Sequence, residues 1–171
     1  MRLLPLDVTG RDAALRGDLG SLDTAPGWPH DDTAPGLGFL DTGGCGFLIV
    51  DDDQRVAGEC GTKTGPDASG MVEIGYGLAA SSRGRGLGGR AVAALVEWLA
   101  EQPGVRAIEA EVHVGNVASW RLLERIGFRT VGSPGPGYDR YRLEILGQPE
   151  QRSPKIPLVR AKNGTFTRSK Y

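Results

Sequence analysis

Polar and apolar residues alternate most cleanly over MVEIGYGL (71–78). Val72, Ile74, Tyr76 and Leu78 fall on one face and Glu73, Gly75 and Gly77 on the other, the period-2 signature of a half-buried strand. The period then changes. In RAVAALVEWLA (90–100), Val92, Leu95, Val96 and Leu99 recur at i, i+3, i+4 and i+7, so an amphipathic helix follows, stopped near Gln102 by Pro103 and Gly104. VRAIEAEVHV (105–114) alternates again and predicts a strand. Asn116 is placed to cap a second helix, which carries Ala118, Leu122, Leu123 and Ile126 and is closed by Gly127. RTVGS and YDRYRLEIL predict two more strands around the GSPGPG turn.

Upstream the pattern is less regular. RLLPLD (2–7) reads as a short first strand, at a sheet edge because of Pro5. Residues 9–19 read as a weak helix opened by Thr9. The stretch 20–45 is dense in Gly, Pro and Asp and predicts a long loop with at most short helical turns, a length often tied to function. GFLIVDDD (46–53) is an apolar strand ending at an acidic turn, and residues 54–65 are its hairpin partner.

Composition adds limits. A chain of 171 residues suits one domain, expected over 1–150, followed by a segment at 151–171 with six Lys or Arg and no acid. That tail reads as solvated or swapped, or as an electrostatic arm for an acidic partner. With 39% apolar and 24% charged residues and a net charge of −1, a soluble, cytoplasmic protein is expected, with no nucleic-acid or membrane partner. Cys45 and Cys60 are expected as reduced thiols, and no spacing suggests a metal site.

The candidate chemistry lies in SRGRGLGGRAV (82–92), between the best strand and the best helix. Gly84, Gly86 and Gly89 match the dinucleotide fingerprint G-x-G-x-x-G, and Glu109 stands 20 residues after Gly89, where a ribose-binding acid would fall. That reading fails on context. AASSR separates Leu78 from Gly84, the preceding strands form a meander, and only one further helix follows. In either register the physics is the same. Glycines let backbone approach a pyrophosphate, a helix N-terminus faces it, and Arg83, Arg85 and Arg90 add charge.

Read from Arg83, Arg83-Gly84-Arg85-Gly86-Leu87-Gly88 resembles the R/Q-x-x-G-x-G/A loop of the GNAT superfamily of acetyl-CoA-dependent N-acetyltransferases. VEIGYGL resembles the strand before that loop, RAVAALVEWLA the helix after it, and NVASWRLLERIGF the family's N-x-x-[AS]-x-x-x-[YLV]-x-[KR]-x-G-F helix. The resemblance covers roughly residues 46–145. It implies an α+β (α/β/α) GNAT fold, a mixed and mostly antiparallel splayed sheet of about six to seven strands flanked by helices.

The resemblance also implies site roles. Leu78, Ala79 and Ala80 would contact the pantetheine of acetyl-CoA. Residues Arg83, Gly84, Arg85, Gly86, Leu87, Gly88, Gly89 and Arg90 would hold its pyrophosphate, and Asn116 would cap its helix, contact the cofactor, or do both. Direct acyl transfer to an amine needs a proton acceptor and an acid for the leaving thiolate. Glu73 is the expected base, with Glu111 and His113 in reserve. Many family members carry an acidic tyrosine where this chain has Leu123, so the acid is left among Ser119, Tyr138, Tyr141 and water. Trp28, Phe39, Asp23, Asp31 and Asp32 are candidates to receive a cationic amine, unless they are solvated loop residues. The acceptor is expected to be a small-molecule or peptide amine, and the resemblance leaves a homodimer open. The alternative is an acyl-CoA-binding sensor or partner-binding module without turnover, which the leucine at 123 favours.

Overall fold

The computed structural model describes residues 1–145. The basic tail at 151–171, and the domain end expected at residue 150, lie outside the described residues. The elements run β1 (Arg2–Leu6), α1 (Val8–Leu15), β2 (Asp23–Thr24), α2 (Thr33–Gly38), β3 (Gly46–Val50), β4 (Arg55–Thr62), β5 (Met71–Leu78), α3 (Leu87–Ala100), β6 (Ala107–His113), α4 (Val117–Ile126), β7 (Arg129–Gly135) and β8 (Tyr138–Glu144). The eight strands form one mixed sheet in the order β1-β3-β4-β5-β6-β8-β7, with β2 beside β4. The α+β architecture and the splayed, mostly antiparallel sheet agree with the sequence reading. The strand beyond the expected number is β2, a two-residue parallel bridge to Arg55 and Val56 inside the stretch read as loop.

Local chemistry explains most boundaries. Asp7, rather than Thr9, caps α1, because its Oδ1 accepts from the Gly10 N–H at 2.7 Å. Asn116 Oδ1 accepts from the Ser119 N–H at 3.2 Å, and Gly127 closes α4 in the left-handed conformation, as the sequence predicts. In α3 the buried stripe is Leu87, Ala91, Val92, Leu95 and Leu99. Phe47 of β3 meets Trp98 of α3 edge-on at 5.1 Å between ring centres. Full burial of Val92 or Leu95 is worth about 1.5–3 kcal/mol each. Residues 20–45 are more ordered than a loop. Trp28, Thr33 and Leu37 are buried, and α2 packs on β4 and β5.

What positions a site is the break in the sheet. β5 and β6 run parallel and pair only at Met71↔Ala107, Val72↔Ile108 and Glu73↔Glu109. Past Glu73 the two strands diverge, while β5 stays paired to β4 up to Leu78↔Gly58 and β6 stays paired to β8 up to His113↔Tyr138. Glu73 O accepts from Lys63 N and Ala79 N donates to Ala57 O, so the odd-numbered residues of β5 direct their backbone polar groups toward β4. By alternation, Ile74, Tyr76 and Leu78 direct theirs into the opening.

Candidate active site

The opening is continuous with a cavity of about 1090 Å³ between the glycine segment, the N-terminal half of α4 and α2. The chain leaves β5, makes a 3₁₀ turn at Ala80–Ser82, and enters α3 through Gly84 (φ +75°) and Gly86 (φ +74°). These φ values favour glycine, and open space lies beyond both α-carbons. α3 has neither a side-chain cap nor an acid in its first turn. Its first helical bond is Arg90 N to Gly86 O at 3.2 Å, so the N–H groups of Leu87, Gly88 and Gly89 have no intrahelical carbonyl. All three residues line the cavity, with Arg83, Gly84, Gly86 and Arg90 beside them. Arg83 Nε donates to Leu78 O at 3.0 Å, and Arg90 Nη2 meets Asp52 Oδ2 at 2.8 Å. That contact, with the N-terminal ammonium group, holds Asp52 well below the usual carboxylate range. A cradle of N–H groups with arginines beside it fits a pyrophosphate, and an open strand edge fits an amide-bearing chain.

Three expected cofactor residues sit differently. Ala79 uses both backbone groups within the chain, its N–H on Ala57 and its C=O from Ser82, and Ala80 O accepts from Arg83 N. Arg85 turns back to Ser81 O at 3.0 Å. None of the three lines the cavity, whereas Leu78 does.

On the opposite wall, Asn116 and Ser119 line the cavity with Arg121, Leu122 and Arg125. Ser119 Oγ lies 2.6 Å from Tyr76 Oη. Burial raises the phenol pKa, and the hydrogen bond to Ser119 offsets part of that rise. Leu123, where many relatives are expected to carry tyrosine, is fully buried in the core. The phenol at this cavity comes instead from β5. The sequence pattern groups Tyr76 with the core face of its strand and gives no sign of this role, because the sheet opens at that point.

The other candidates separate in space. Glu73 lies at the last paired position of β5, outside the cavity lining, in an ion pair with Lys63. Glu111 meets Arg140 Nη2 at 2.6 Å across the β6–β8 ladder. Glu109, the acid of the dinucleotide reading, is buried and meets Arg142 Nη2 at 2.5 Å. His113 and Tyr138 pack edge-on at 5.3 Å at the tips of β6 and β8, outside the lining, and Tyr141 is buried. In the 20–45 stretch, Phe39 and Asp32 line the cavity, whereas Asp23 and Asp31 are exposed elsewhere. Trp28 is buried behind the cavity and donates from Nε1 to Glu59 Oε2 at 2.8 Å.

Glu59 itself was not singled out by the sequence. It stands on β4 opposite Gly77, buried, and lines the cavity together with His30. Thr33 Oγ1 donates to Glu59 Oε2 at 3.1 Å, and His30 Nε2 lies 2.9 Å from Glu59 Oε1. Burial pushes the Glu59 pKa up, against the pull of Trp28, His30 and Thr33, and Asp32 adds to the rise. Among the described residues no cluster of His, Cys, Asp and Glu could hold a metal ion, and no helix is long and apolar enough to cross a membrane.

Comparison with known proteins follows the same lines. Residues 25–129 match the family described as Acetyltransferase (GNAT) domain. The chain is 27% identical over 143 residues to the uncharacterized N-acetyltransferase YjdG of Bacillus subtilis, covering 75% of this chain and 85% of that protein. Two solved structures superpose with a TM-score of 0.61. One is a spermidine N-acetyltransferase SpeG chimera from Vibrio cholerae and hSSAT, 16% identical, covering 85% of this chain and 97% of its own. The other is RimL, a ribosomal L7/L12 α-N-protein acetyltransferase in complex with coenzyme A, 19% identical, covering 84% and 93%. With an open sheet, a glycine-lined helix start and the match across its centre, this chain belongs to the GNAT family of N-acetyltransferases.

Proposed function

We propose that the protein transfers an acetyl group from acetyl-CoA directly to a primary amine. The observation that carries this reading is the strand edge at Ile74, Tyr76 and Leu78, which leads to the uncapped start of α3. The N–H groups of Leu87, Gly88 and Gly89, with Arg83 and Arg90, hold the pyrophosphate. The backbone of β5 and Asn116 hold the pantetheine arm. Bound acetyl-CoA supplies the activated thioester carbonyl. Tyr76, hydrogen-bonded to Ser119, is the protein's proton donor at the cavity wall, in the place of the tyrosine that Leu123 replaces. A solved relative is named for spermidine and another for a protein N-terminus, so both amine classes belong in the acceptor panel.

The test has two arms. Calorimetric titration with CoA is expected to show saturable binding, and thiol release from acetyl-CoA is expected to rise with at least one amine. The buried Leu123 favours a second reading, an acyl-CoA-binding module without turnover. CoA binding with no thiol release on any amine selects that reading. Absence of CoA binding rejects both.

A further inference from the structure

Tyr76 and Gly77 are neighbours on the opened half of β5 and face opposite sides of the sheet. Tyr76 faces α4 through Ser119. Gly77 faces α2, and a Cβ there would fall 2.6 Å from Glu59 Oε1 and 2.6 Å from His30 Cε1. Glu59 and His30 therefore press against the backbone of β5 where it borders the cavity, and a side chain at 77 would displace them. We propose that the His30–Glu59 pair is the acceptor subsite, which binds a primary alkylammonium and takes one proton from it.

This inference rests on the acetyltransferase reading and adds to it the residues that meet the amine. Three features support it. First, the pair is organised from behind. Trp28 Nε1 and Thr33 Oγ1 occupy Glu59 Oε2, which leaves Oε1 toward His30. Thr33 Oγ1 also accepts from the His30 N–H at 3.0 Å, so one hydroxyl ties the two members together. Second, exposure is graded. The Glu59 side chain is 6% exposed and that of His30 15%, so His30 meets the ligand and Glu59 is the positioning residue. Third, the surroundings suit a cation. Asp32, close enough to Glu59 to add to its pKa rise, lines the cavity, and so does Phe39. The geometry sets a buried carboxylate against an imidazole beside the β5 backbone, an arrangement in which the two groups can share one accepted proton.

The proton balance is simple. The ammonium nitrogen gives one proton to the pair and becomes a neutral amine with a free lone pair, and the protonated pair later returns that proton to water. The titratable groups facing Glu59 are His30 and Asp32 from the α2 side, β5 presents only glycine there, and Cys60, next along β4, turns to the other face of the sheet. Burial pushes the Cys60 thiol up, so it stays neutral and does not compete for the role.

The chain contains only two histidines, which makes a direct test available. Full-length protein loaded with CoA is titrated with n-butylamine, spermidine and a tetrapeptide with a free N-terminus, while the two histidine Cε1–Hε1 signals are followed by NMR. H113Q assigns the signals, because His113 sits at the β6–β8 tip outside the cavity. The His30 signal is expected to shift saturably with at least one amine while His113 stays still. E59Q keeps the side-chain shape and is expected to weaken that response about tenfold, the size of a lost charged hydrogen bond. It is also expected to leave CoA affinity unchanged. No His30 response to any of the three amines overturns the proposal, as does an equal shift of both histidines or an E59Q protein that responds like wild type. Failure to take up CoA overturns the acetyltransferase reading instead. In that case the His30 response to the amines in CoA-free protein still decides this inference.

Discussion

At the start of α3 the cavity is bounded by backbone. Consecutive residues from Arg83 to Arg90 turn into a helix start, and four glycines there, Gly84, Gly86, Gly88 and Gly89, bring backbone to the cavity between Arg83 and Arg90. At its α2 end it is bounded by side chains from distant parts of the chain. Glu59 is 31 residues from Trp28 and 26 from Thr33. On the proposed function, the contrast follows from what each end has to recognise. A pyrophosphate is met by N–H dipoles that any sequence carries, so the requirement falls on conformation and glycine meets it. An amine needs a particular acceptor held dry and oriented, so the requirement falls on side chains and on whatever packs behind them.

The comparison can be broken from either end. The largest effect is expected for E59Q, a loss of about a hundredfold in kcat/KM toward a true acceptor at constant CoA affinity. A loss that appears equally in CoA binding would merge the two ends into one. Tyr76→Phe comes next, with kcat falling about tenfold and the pH profile losing its alkaline limb. Unchanged kcat and an unchanged limb would remove the phenol from the chemistry. Gly86→Ala forces a side chain into φ +74°. It is expected to cost about 1 kcal/mol of stability and to weaken CoA about fivefold, with the acceptor KM untouched. The smallest effect is expected for Glu73→Gln, less than about fivefold in activity, the range of a partly exposed ion pair. A hundredfold loss in that variant would return the base to Glu73.

Stability against pH reads the same carboxylate without a substrate. The folded Glu59 pKa is raised, chiefly by burial, so the folded state binds its proton more tightly than the unfolded chain does. Wild type should therefore lose stability relative to E59Q as pH rises from the ordinary carboxylate value of about 4.3 toward the raised one. Paired melting curves across that window check the sign, and a wild type that gains stability relative to E59Q with rising pH overturns it.

The same contrast decides what could be read from the chain. β5, α3 and α4 were legible because period, cap and stop signals lie within each element. Asn116 and Gly127 bracket α4 as expected, and the register beginning at Arg83 locates the uncapped helix start. Glu59 was not legible. In VAGECGTK it is one polar residue in an alternating strand, and its meaning depends on Trp28, His30 and Thr33, in a stretch whose glycines and prolines read as loop. Tyr76 was hidden for a related reason. Alternation assigns a residue to a face but cannot report that the neighbouring strand has departed.

That departure has a mechanical side. Three residue pairs fasten β5 to β6, so the two halves of the sheet are hinged at Glu73 and Glu109 and lack rungs beyond them. An unpaired strand edge ordinarily invites another polypeptide to add itself. Here α3 packs on β5 and on α4, and a Cβ on Gly88 would meet Leu78 at 3.3 Å and Leu122 at 3.4 Å. Whatever ladders onto the edge at Ile74, Tyr76 and Leu78 becomes the missing brace between the halves.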